Sequence, residues 1–364
     1  MSYSFHISQE SLTQAADYLE KLRNKRLMPG QRLERVLAGV ELSTLKVENF
    51  LEFLVNTKPP LIYAESAVYG DGRDWTPQEL HILGDIGISA NVTVFDDGRH
   101  IDPHVHAEPF EGTLLFVPGA LLRNDHNCDP ADLGEVAPDG RIEPRSLASL
   151  YERRLLPLLV HANRLAETSD GGVVTLPGLG CGQFAGRFQG QMGEYLKQAL
   201  CVILERHAPK LPFLRLVYFD PYNECDDETF SYDHLSLRVR PLLRNSLQIS
   251  QLSEPSSLEE HGDDFGHCRL FSFVAWDHVS WPGNDYYGGR RTTDDGVKAA
   301  ATDVMRNMTG IAGTYDPLSN RYLPPTEYRD WGEVVSRNGL RLNLAGRLLV
   351  SEPPRVCRRL FGLS

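Results

Sequence analysis

The chain has 364 residues, of which 41% are hydrophobic and 24% are charged, as in an ordinary globular protein long enough for two domains. Its net charge of −12 argues against nucleic-acid partners, which need a basic face, but a nucleotide ligand stays open because backbone N–H groups can hold a phosphate. No apolar run reaches the length of a membrane span, and the N-terminal MSYSFHISQE lacks signal-peptide features, so we expect a cytoplasmic protein without a membrane partner. The six cysteines show no C-x-x-C spacing and are expected to be reduced thiols.

The first sixty residues are predicted to be mainly helical. Apolar residues recur at helical spacing over 12–22 and again over 33–40, on either side of the break at Pro29-Gly30. The pair Pro59-Pro60 closes this segment. The sequence therefore predicts an N-terminal helical extension over 1–60 and a second unit over 61–364.

The rest of the chain alternates between strands and helices. Residues 124–145, rich in Asp, Asn, Pro and Gly, are predicted to form a long surface loop. Short β-branched or apolar runs predict strands at 88–95, 112–120, 173–176, 213–219 and 270–276. Periodic apolar positions predict helices over 147–162, 192–203 and 297–308. This alternation is typical of parallel strands covered by helices, and therefore of an α/β sandwich.

A glycine-rich loop, LPGLGCGQFAG, lies between the predicted strand at 173–176 and the helix at 192–203. In parallel α/β sheets, ligands bind where strands end and helices begin. Alternating glycines let the backbone approach a ligand, and successive N–H groups next to a helix N-terminus can cradle a phosphate. The loop is not a Walker loop, because no Gly-Lys-Ser/Thr follows it, and it is not a dinucleotide fingerprint, because Gln183 stands in place of the third glycine. A turn that only connects two elements is the alternative.

A second loop, WDHVSWPGNDYYGGRRTTDD, joins the last predicted strand to the last predicted helix and holds Asp277, Asp285 and Asp295. Each aspartate alone is typical of a turn or a helix cap. Together, and with Trp281 and Tyr287 among them, they indicate a binding site. Aromatic faces pack on adenine, ribose or a planar cation, and clustered carboxylates bind ribose hydroxyls, a guanidinium or a metal, or act as a general base.

These two loops resemble those of a known family. PGLGCGQFAG resembles the phosphate loop of macrodomains, the ADP-ribose-binding α/β/α fold, and NDYYGGRRTTDDGVKAAATDVM resembles their second loop. The pattern A-W-D, S-W-P-G-N-D and T-D-D is similar to MavL-type ADP-ribosylhydrolases, which remove ADP-ribose from arginine in proteins, ubiquitin being one substrate. The resemblance covers residues 112–308. The phosphate loop comes first here, the reverse of ordinary macrodomains, which suggests a permuted strand order.

The resemblance implies a three-layer α/β/α macrodomain-like mixed sheet in a catalytic domain over 61–364. It implies a hydrolase that removes ADP-ribose from proteins in which it is linked to arginine, so that ADP-ribose is both ligand and product. It implies no required cofactor, although Mg²⁺ at the carboxylates stays open. The catalytic residues are expected to be Asp277, Asp285 and Asp295. Contacts to ADP-ribose are expected from Gly178, Leu179, Gly180, Cys181, Gly182, Gln183, Phe184, Trp281, Asn284 and Tyr287.

Three other functions compete with this one. A reader would bind ADP-ribose without cutting it, although plain binding does not need three carboxylates. A metal-dependent hydrolase is suggested by His104 and His106 in RHIDPHVH, because such pairs occur as metal ligands, but no second pair follows. Cysteine chemistry at Cys181 would use the adjacent helix N-terminus to lower the thiol pKa, but a small residue packed in a tight loop is the favoured explanation.

Overall fold

The computed structural model describes residues 3–62, 73–123, 130–244 and 249–351. Within these residues a large mixed sheet forms the centre of the molecule, and a small two-stranded sheet lies apart from it. The strands are β1 (Tyr3–Ser8), β2 (Gly87–Asp96), β3 (Val105–Pro118), β4 (Gly172–Pro177), β5 (Leu214–Asp220), β6 (Glu228–Tyr232), β7 (Leu235–Val239), β8 (Arg269–Trp276), β9 (Thr314–Asp316), β10 (Arg321–Leu323) and β11 (Leu348–Ser351).

The helices surround the large sheet. They are α1 (Gln9–Arg23), α2 (Gln31–Val36), α3 (Val47–Val55), α4 (Pro77–Gly84), α5 (Leu133–Val136), α6 (Pro144–Ala166), α7 (Met192–His207), α8 (Asp294–Ala301), α9 (Val304–Thr309) and α10 (Trp331–Asn338). None of the helices in the described ranges is long and apolar enough to cross a membrane.

Strand order in the large sheet is β11-β1-β2-β3-β8-β4-β5-β7-β6. The five adjacent strands β3, β8, β4, β5 and β7 run parallel to one another, whereas β2 is antiparallel to both β1 and β3, and β6 is antiparallel to β7. The late strand β8 thus lies between two strands that come much earlier in the chain. Since β4 and β8 are parallel neighbours, the glycine loop after β4 and the aspartate loop after β8 leave the sheet at the same edge.

Two apolar layers cover opposite faces of this sheet. Along β3, Leu114 and Phe116 pack into one hydrophobic cluster with α1, α3, α8 and α9, while Leu115 and Val117 pack into a second cluster with α6 and α7. This alternation follows from the two-residue repeat of a strand. The predicted α/β/α arrangement with a mixed sheet is therefore confirmed.

The prediction of a helical N-terminal extension missed β1, which pairs with both β2 and β11. Its side chains Phe5 and Ile7 are fully buried and belong to the same cluster as Leu51 of α3 and Ile88 of β2. A six-residue strand next to a long amphipathic helix gives a weak periodic signal, which explains the omission. The division of the chain at residue 60 stays a prediction, but residues on its two sides share one hydrophobic cluster.

Two other expectations differ from the structure. The predicted surface loop 124–145 begins outside the described residues, but its later part contains α5 and the fully buried Asp132. The predicted helix over 297–308 is divided into α8 and α9, because Thr302 is extended and forms an isolated bridge to Val94 of β2. The Asp303 carboxylate then accepts a hydrogen bond from the Thr93 N–H at 2.7 Å, so this break ties the helices to the sheet.

His6 of β1 faces α6 and is 1% exposed, with Nε2 2.8 Å from the Ser89 hydroxyl and its ring 4.5 Å from that of His161. Burial, followed by the nearby His161 and Arg164, lowers the pKa of His6 from 6.5 to about 3. The folded state therefore keeps His6 neutral at pH values where the unfolded chain takes up a proton. The stability contributed by this group is complete above pH 6.5 and is lost as the pH falls towards 3.

Because His6 stays neutral in the folded state, we expect the free energy of unfolding to fall by up to about 1.4 kcal/mol for each unit by which the pH decreases from 6.5 to 3. The variant His6→Asn keeps a polar group opposite Ser89 but does not titrate, so its stability should depend less steeply on pH in this window. Urea unfolding at half-unit pH steps measures both slopes. Equal slopes for the variant and the wild type would show that His6 is not the titrating group.

Candidate functional site

A cleft of about 550 Å³ opens where β4 and β8 end. One wall is the glycine loop, the other is the aspartate loop with the start of α8, and a third contribution comes from residues 61–62. The residues lining it are Leu61, Ile62, Gly178, Gly180, Gly182, Gln183, Phe184, Ala275, Trp276, Asp277, Asn284, Asp285, Gly288, Arg290, Thr292, Thr293, Asp294 and Asp295. All three predicted catalytic aspartates and six of the ten predicted ADP-ribose contacts thus line one cleft.

The glycine loop is held against the end of β3 at van der Waals distance. A Cβ atom on Gly119 would lie 2.3 Å from the Gly180 nitrogen, and one on Gly180, whose φ is +73°, would lie 2.9 Å from the Ala120 backbone. The Tyr151 hydroxyl donates to the Leu179 carbonyl at 2.6 Å and accepts from the Ala120 N–H at 3.2 Å. Two glycines facing each other are therefore needed to place this loop.

Residues of the glycine loop alternate between the cleft and the core. Gly178, Gly180 and Gly182 line the cleft, while the side chains of Leu179 and Cys181 are buried in the cluster beneath α6 and α7. Burial raises the pKa of the Cys181 thiol well above its ordinary value. The thiol is therefore protonated at neutral pH, which does not suit a nucleophile. Any contact of Leu179 or Cys181 with a ligand in this cleft would have to use the backbone.

Asp285 fixes the start of α8. Its carboxylate accepts hydrogen bonds from the N–H groups of Thr292 and Thr293, at 2.9 and 3.1 Å, and from both threonine hydroxyls, at 2.6 and 2.8 Å. A Cβ atom on Gly296 would lie 1.8 Å from Asp285 Oδ1, so only glycine fits there. Asp285 thus has a structural role in addition to any role in chemistry.

Asp295 is 3% exposed and accepts hydrogen bonds from the backbone N–H groups of Gly283 and Asn284, at 2.6 and 3.0 Å. Burial, followed by the charges of Asp277 and Asp285, raises the pKa of Asp295 well above its ordinary value. This carboxyl therefore holds a proton over part of the pH range in which an exposed aspartate is ionised. A cation that entered the cleft would favour its ionised form.

Asp277 closes a turn directly after β8. Its carboxylate accepts from the Val279 and Ser280 N–H groups, both at 2.7 Å, and from the Ser280 hydroxyl at 2.5 Å. The three aspartates come together because Asp277 follows a strand, Asp285 lies in a short 3-10 turn and Asp295 lies in the first turn of a helix that begins at the same edge. Their position in one cleft is established, and their roles stay predictions.

Trp281 and Tyr287 do not line the cleft. Trp281 donates its indole N–H to the Lys58 carbonyl at 2.9 Å and packs edge-on against Tyr287, with ring centroids 6.1 Å apart. Both rings are buried against α8 and neighbouring segments, because this loop folds back over the hydrophobic cluster. The other three predicted contacts, Gln183, Phe184 and Asn284, do reach the cleft, and the Asn284 side-chain carbonyl accepts the Ile62 N–H at 2.9 Å.

Sequence reasoning missed the segment that follows α3. Leu61 and Ile62 line the cleft, and Lys58 lies behind Trp276 with its Nζ 3.9 Å from the centre of the indole ring. The tetrapeptide TKPP carries no catalytic or binding motif, so no local signal marks it. Arg290, Thr292 and Thr293 also line the cleft. Their position in the aspartate loop is the sequence feature from which these contacts could have been predicted.

A buried ionic cluster lies beneath the cleft. Arg154 of α6 is fully buried and contacts Asp132 at 2.7 Å and Asp85 at 3.1 Å. It also donates to the carbonyls of Pro118 and Gly119, at 3.3 and 3.2 Å. Burial alone would raise the pKa of Asp132, but Arg154, followed by His278, holds it well below its ordinary value. The cluster therefore fixes the end of β3, against which the glycine loop rests.

The histidine pair lies elsewhere in the fold. The rings of His104 and His106 are 6.3 Å apart, and His106 Nε2 is 3.0 Å from the Leu252 carbonyl. Within the described part of the chain, no three His, Cys, Asp or Glu side chains are arranged so that they could hold a metal ion. The geometry therefore gives no support to a metal-dependent hydrolase built on this pair.

Comparison with protein families gives one match. A family model described as "Macrodomain effector MavL" matches residues 3–328. The match begins within β1 and so includes the N-terminal strand and helices. A comparison with curated proteins finds no match.

The hydrogen bonds of Asp285 lead to a stability prediction. Asp285→Ala removes the acceptor for two N–H groups and two hydroxyls, and we expect the free energy of unfolding to fall by about 1–3 kcal/mol. Asp316→Ala is the matched control, because Asp316 accepts a similar set of bonds from Leu318 and Ser319 in an exposed turn and should cost less. Urea unfolding compares the two, and equal losses would contradict a structural role specific to Asp285.

Proposed function

Because the chain belongs to the MavL macrodomain effector family, we propose that its cleft binds ADP-ribose and hydrolyses the bond that joins ADP-ribose to an arginine of a modified protein. An ADP-ribose-related function follows from the family. Hydrolysis, the arginine linkage and ubiquitin as one candidate substrate belong to the proposal. The observation that carries it is the cleft itself, in which a glycine loop faces three carboxylates.

The glycine loop would hold the pyrophosphate. Gly178, Gly180 and Gly182 leave that wall of the cleft without side chains, so a phosphate can approach the backbone N–H groups closely. Phe184, partly buried at the same wall, would pack against the distal ribose. This arrangement directs the distal ribose towards the aspartate loop on the opposite wall.

The carboxylates would act on the distal end of the ligand. An arginine guanidinium carries a positive charge, which favours the ionised form of Asp295 when the substrate enters. Ionised Asp295 would then take a proton from water as the water oxygen attacks ribose C1″ and the C1″–N bond breaks. That proton returns to the departing guanidine nitrogen, so the products are ADP-ribose and unmodified arginine. Negative charge from Asp277 and Asp285 would stabilise the oxocarbenium character that develops on the ribose.

A non-hydrolytic ADP-ribose reader is the second candidate, and one observation favours it. Each of the three carboxylates already accepts hydrogen bonds from its own loop. Such bonds shape a binding cleft without any chemistry. The raised pKa of Asp295 favours the hydrolase, because a reader does not need a carboxyl whose pKa is raised, whereas acid/base chemistry does.

The decisive assay uses protein that carries ADP-ribose on arginine, with arginine-modified ubiquitin as one substrate, and mass spectrometry of both products. The wild type should release intact ADP-ribose and restore arginine, and a chelator should leave the rate unchanged. Asp295→Asn should lower the rate by about 10²–10⁴-fold, as expected when a general base is lost, while ADP-ribose still binds. Tight binding without release by the wild type would establish the reader instead.

The contact between Gly119 and Gly180 provides a test of the phosphate loop. Gly119→Ala places a Cβ atom against the loop backbone and should weaken ADP-ribose binding by tenfold or more, on the order of 1.4 kcal/mol. Gly134→Ala is the control, since its Cβ would meet no atom within 4 Å. Calorimetric titration with ADP-ribose measures both variants, and unchanged affinity for Gly119→Ala would exclude this loop as the phosphate site.

A further inference from the structure

Lys58 is a buried cation next to the cleft. Its side chain is 3% exposed, and its Nζ lies on the face of Trp276, the residue that directly precedes Asp277. Its backbone is tied to the aspartate loop, because the Lys58 carbonyl accepts the Trp281 indole N–H at 2.9 Å and the Pro59 carbonyl accepts the Trp281 backbone N–H at 3.1 Å. The backbone at Lys58 is thus fixed to the aspartate loop, while its ammonium lies against the Trp276 ring.

The surroundings of this ammonium are unusual. Within the described residues Nζ has no hydrogen-bond partner, although a buried ammonium normally has two or three. The charged and titratable groups that face it are Asp277 and Asp295 from the aspartate loop and α8, and His278. Two of these three are carboxylates of the cleft, and Asp295 itself also faces Asp285, Tyr287 and Lys298, whose ammonium is paired with Asp294. A buried ammonium without a hydrogen-bond partner in the ranges that the structure describes therefore lies close to the two carboxylates of Asp277 and Asp295.

We propose that Lys58 is a positioning residue of the site, whose charge allows Asp277 and Asp295 to be ionised at the same time. This inference rests on the proposed hydrolytic function, since it identifies the charge that keeps the general base of that reaction ionised. Two neighbouring buried carboxylates repel each other and tend to keep one proton between them. A fixed cation behind the cleft wall offsets that repulsion without occupying the space in which the ligand binds.

The charge balance between these groups is consistent with this role. Burial lowers the pKa of Lys58 to about 7, while the charges of Asp277 and Asp295 act to raise it. The coupling is reciprocal, so a charged Lys58 must lower the pKa of Asp295 by the same free energy. Loss of the Lys58 charge should therefore leave Asp295 protonated at a pH at which the wild type is ionised.

The variant Lys58→Met has a side chain of similar length without the charge. In protein labelled with 13C-aspartate, the Asp295 carboxyl signal is assigned by its loss in Asp295→Asn and followed through a pH titration. We expect its midpoint to move to higher pH by about 1–3 units in Lys58→Met, the usual effect of removing a nearby opposite charge. Lys197→Met is the control, because Lys197 pairs with Glu194 and Glu228 away from the cleft. An unchanged midpoint in Lys58→Met would overturn the proposal.

A reciprocal measurement covers the case in which Lys58→Met does not fold. In Asp295→Asn the Lys58 Nζ loses one of the two charges that raise its pKa, so the 13Cε signal of Lys58 should titrate at a lower pH than in the wild type. An equal midpoint in the two proteins would overturn the coupling. Neither titration requires turnover, so both can be read even if the wild type proves to be a reader.

The role in hydrolysis is tested by the pH profile of kcat/KM. Loss of a positioning charge should move the acidic limb of Lys58→Met upward by the same 1–3 units, with the rate recovering at higher pH. A merely structural role would lower the rate equally at every pH and leave the limb in place, which would refute the proposal. If the wild type shows no release of ADP-ribose, the hydrolase assignment fails while the titrations still decide the coupling of Lys58 to Asp295.

Discussion

The buried contact of Arg154 with Asp132 and Asp85 is the interaction on which the cleft depends. It joins α6 to the end of α4 and to the segment before α5, and the same guanidinium holds the last carbonyls of β3. Removing one partner of such a buried ion pair typically costs about 3–5 kcal/mol, because the other charge is left uncompensated. A displaced β3 end would move Gly119, and the glycine loop rests on that residue. A cluster without direct contact to the cleft therefore sets its width.

Strand order explains why the two loops meet. In the sequence β3 and β4 come well before β8, yet β8 pairs with both strands. Parallel neighbours have their carboxyl ends at the same edge, so the glycine loop and the aspartate loop become opposite walls of one cleft. Inserting a late strand into the middle of the sheet thus replaces the loop order of ordinary macrodomains while keeping the two loops together in space.

The electrostatics of the cleft follow from burial as much as from charge. Asp277, Asp285 and Asp295 carry hydrogen bonds that shape their own loop, and their mutual repulsion is offset by a cation that lies behind the wall. A carboxyl whose pKa is raised by burial and by neighbouring carboxylates is well suited to respond to a cationic substrate. In this arrangement the structural and chemical roles of the aspartates depend on each other.

The sequence by itself determined the family, the alternation of helices and strands, and the three aspartates and alternating glycines that line the cleft, because turn chemistry and periodicity are local properties. It could not determine the contribution of β1 to the sheet or the position of β8. Nor could it show that Lys58 and Ile62 reach the aspartate loop, contacts that join residues 223 and 222 positions apart. The sequence also could not show that the Trp281 and Tyr287 rings pack into the hydrophobic core and not into the cleft. These features arise from packing between distant segments, which no local pattern in a single sequence records.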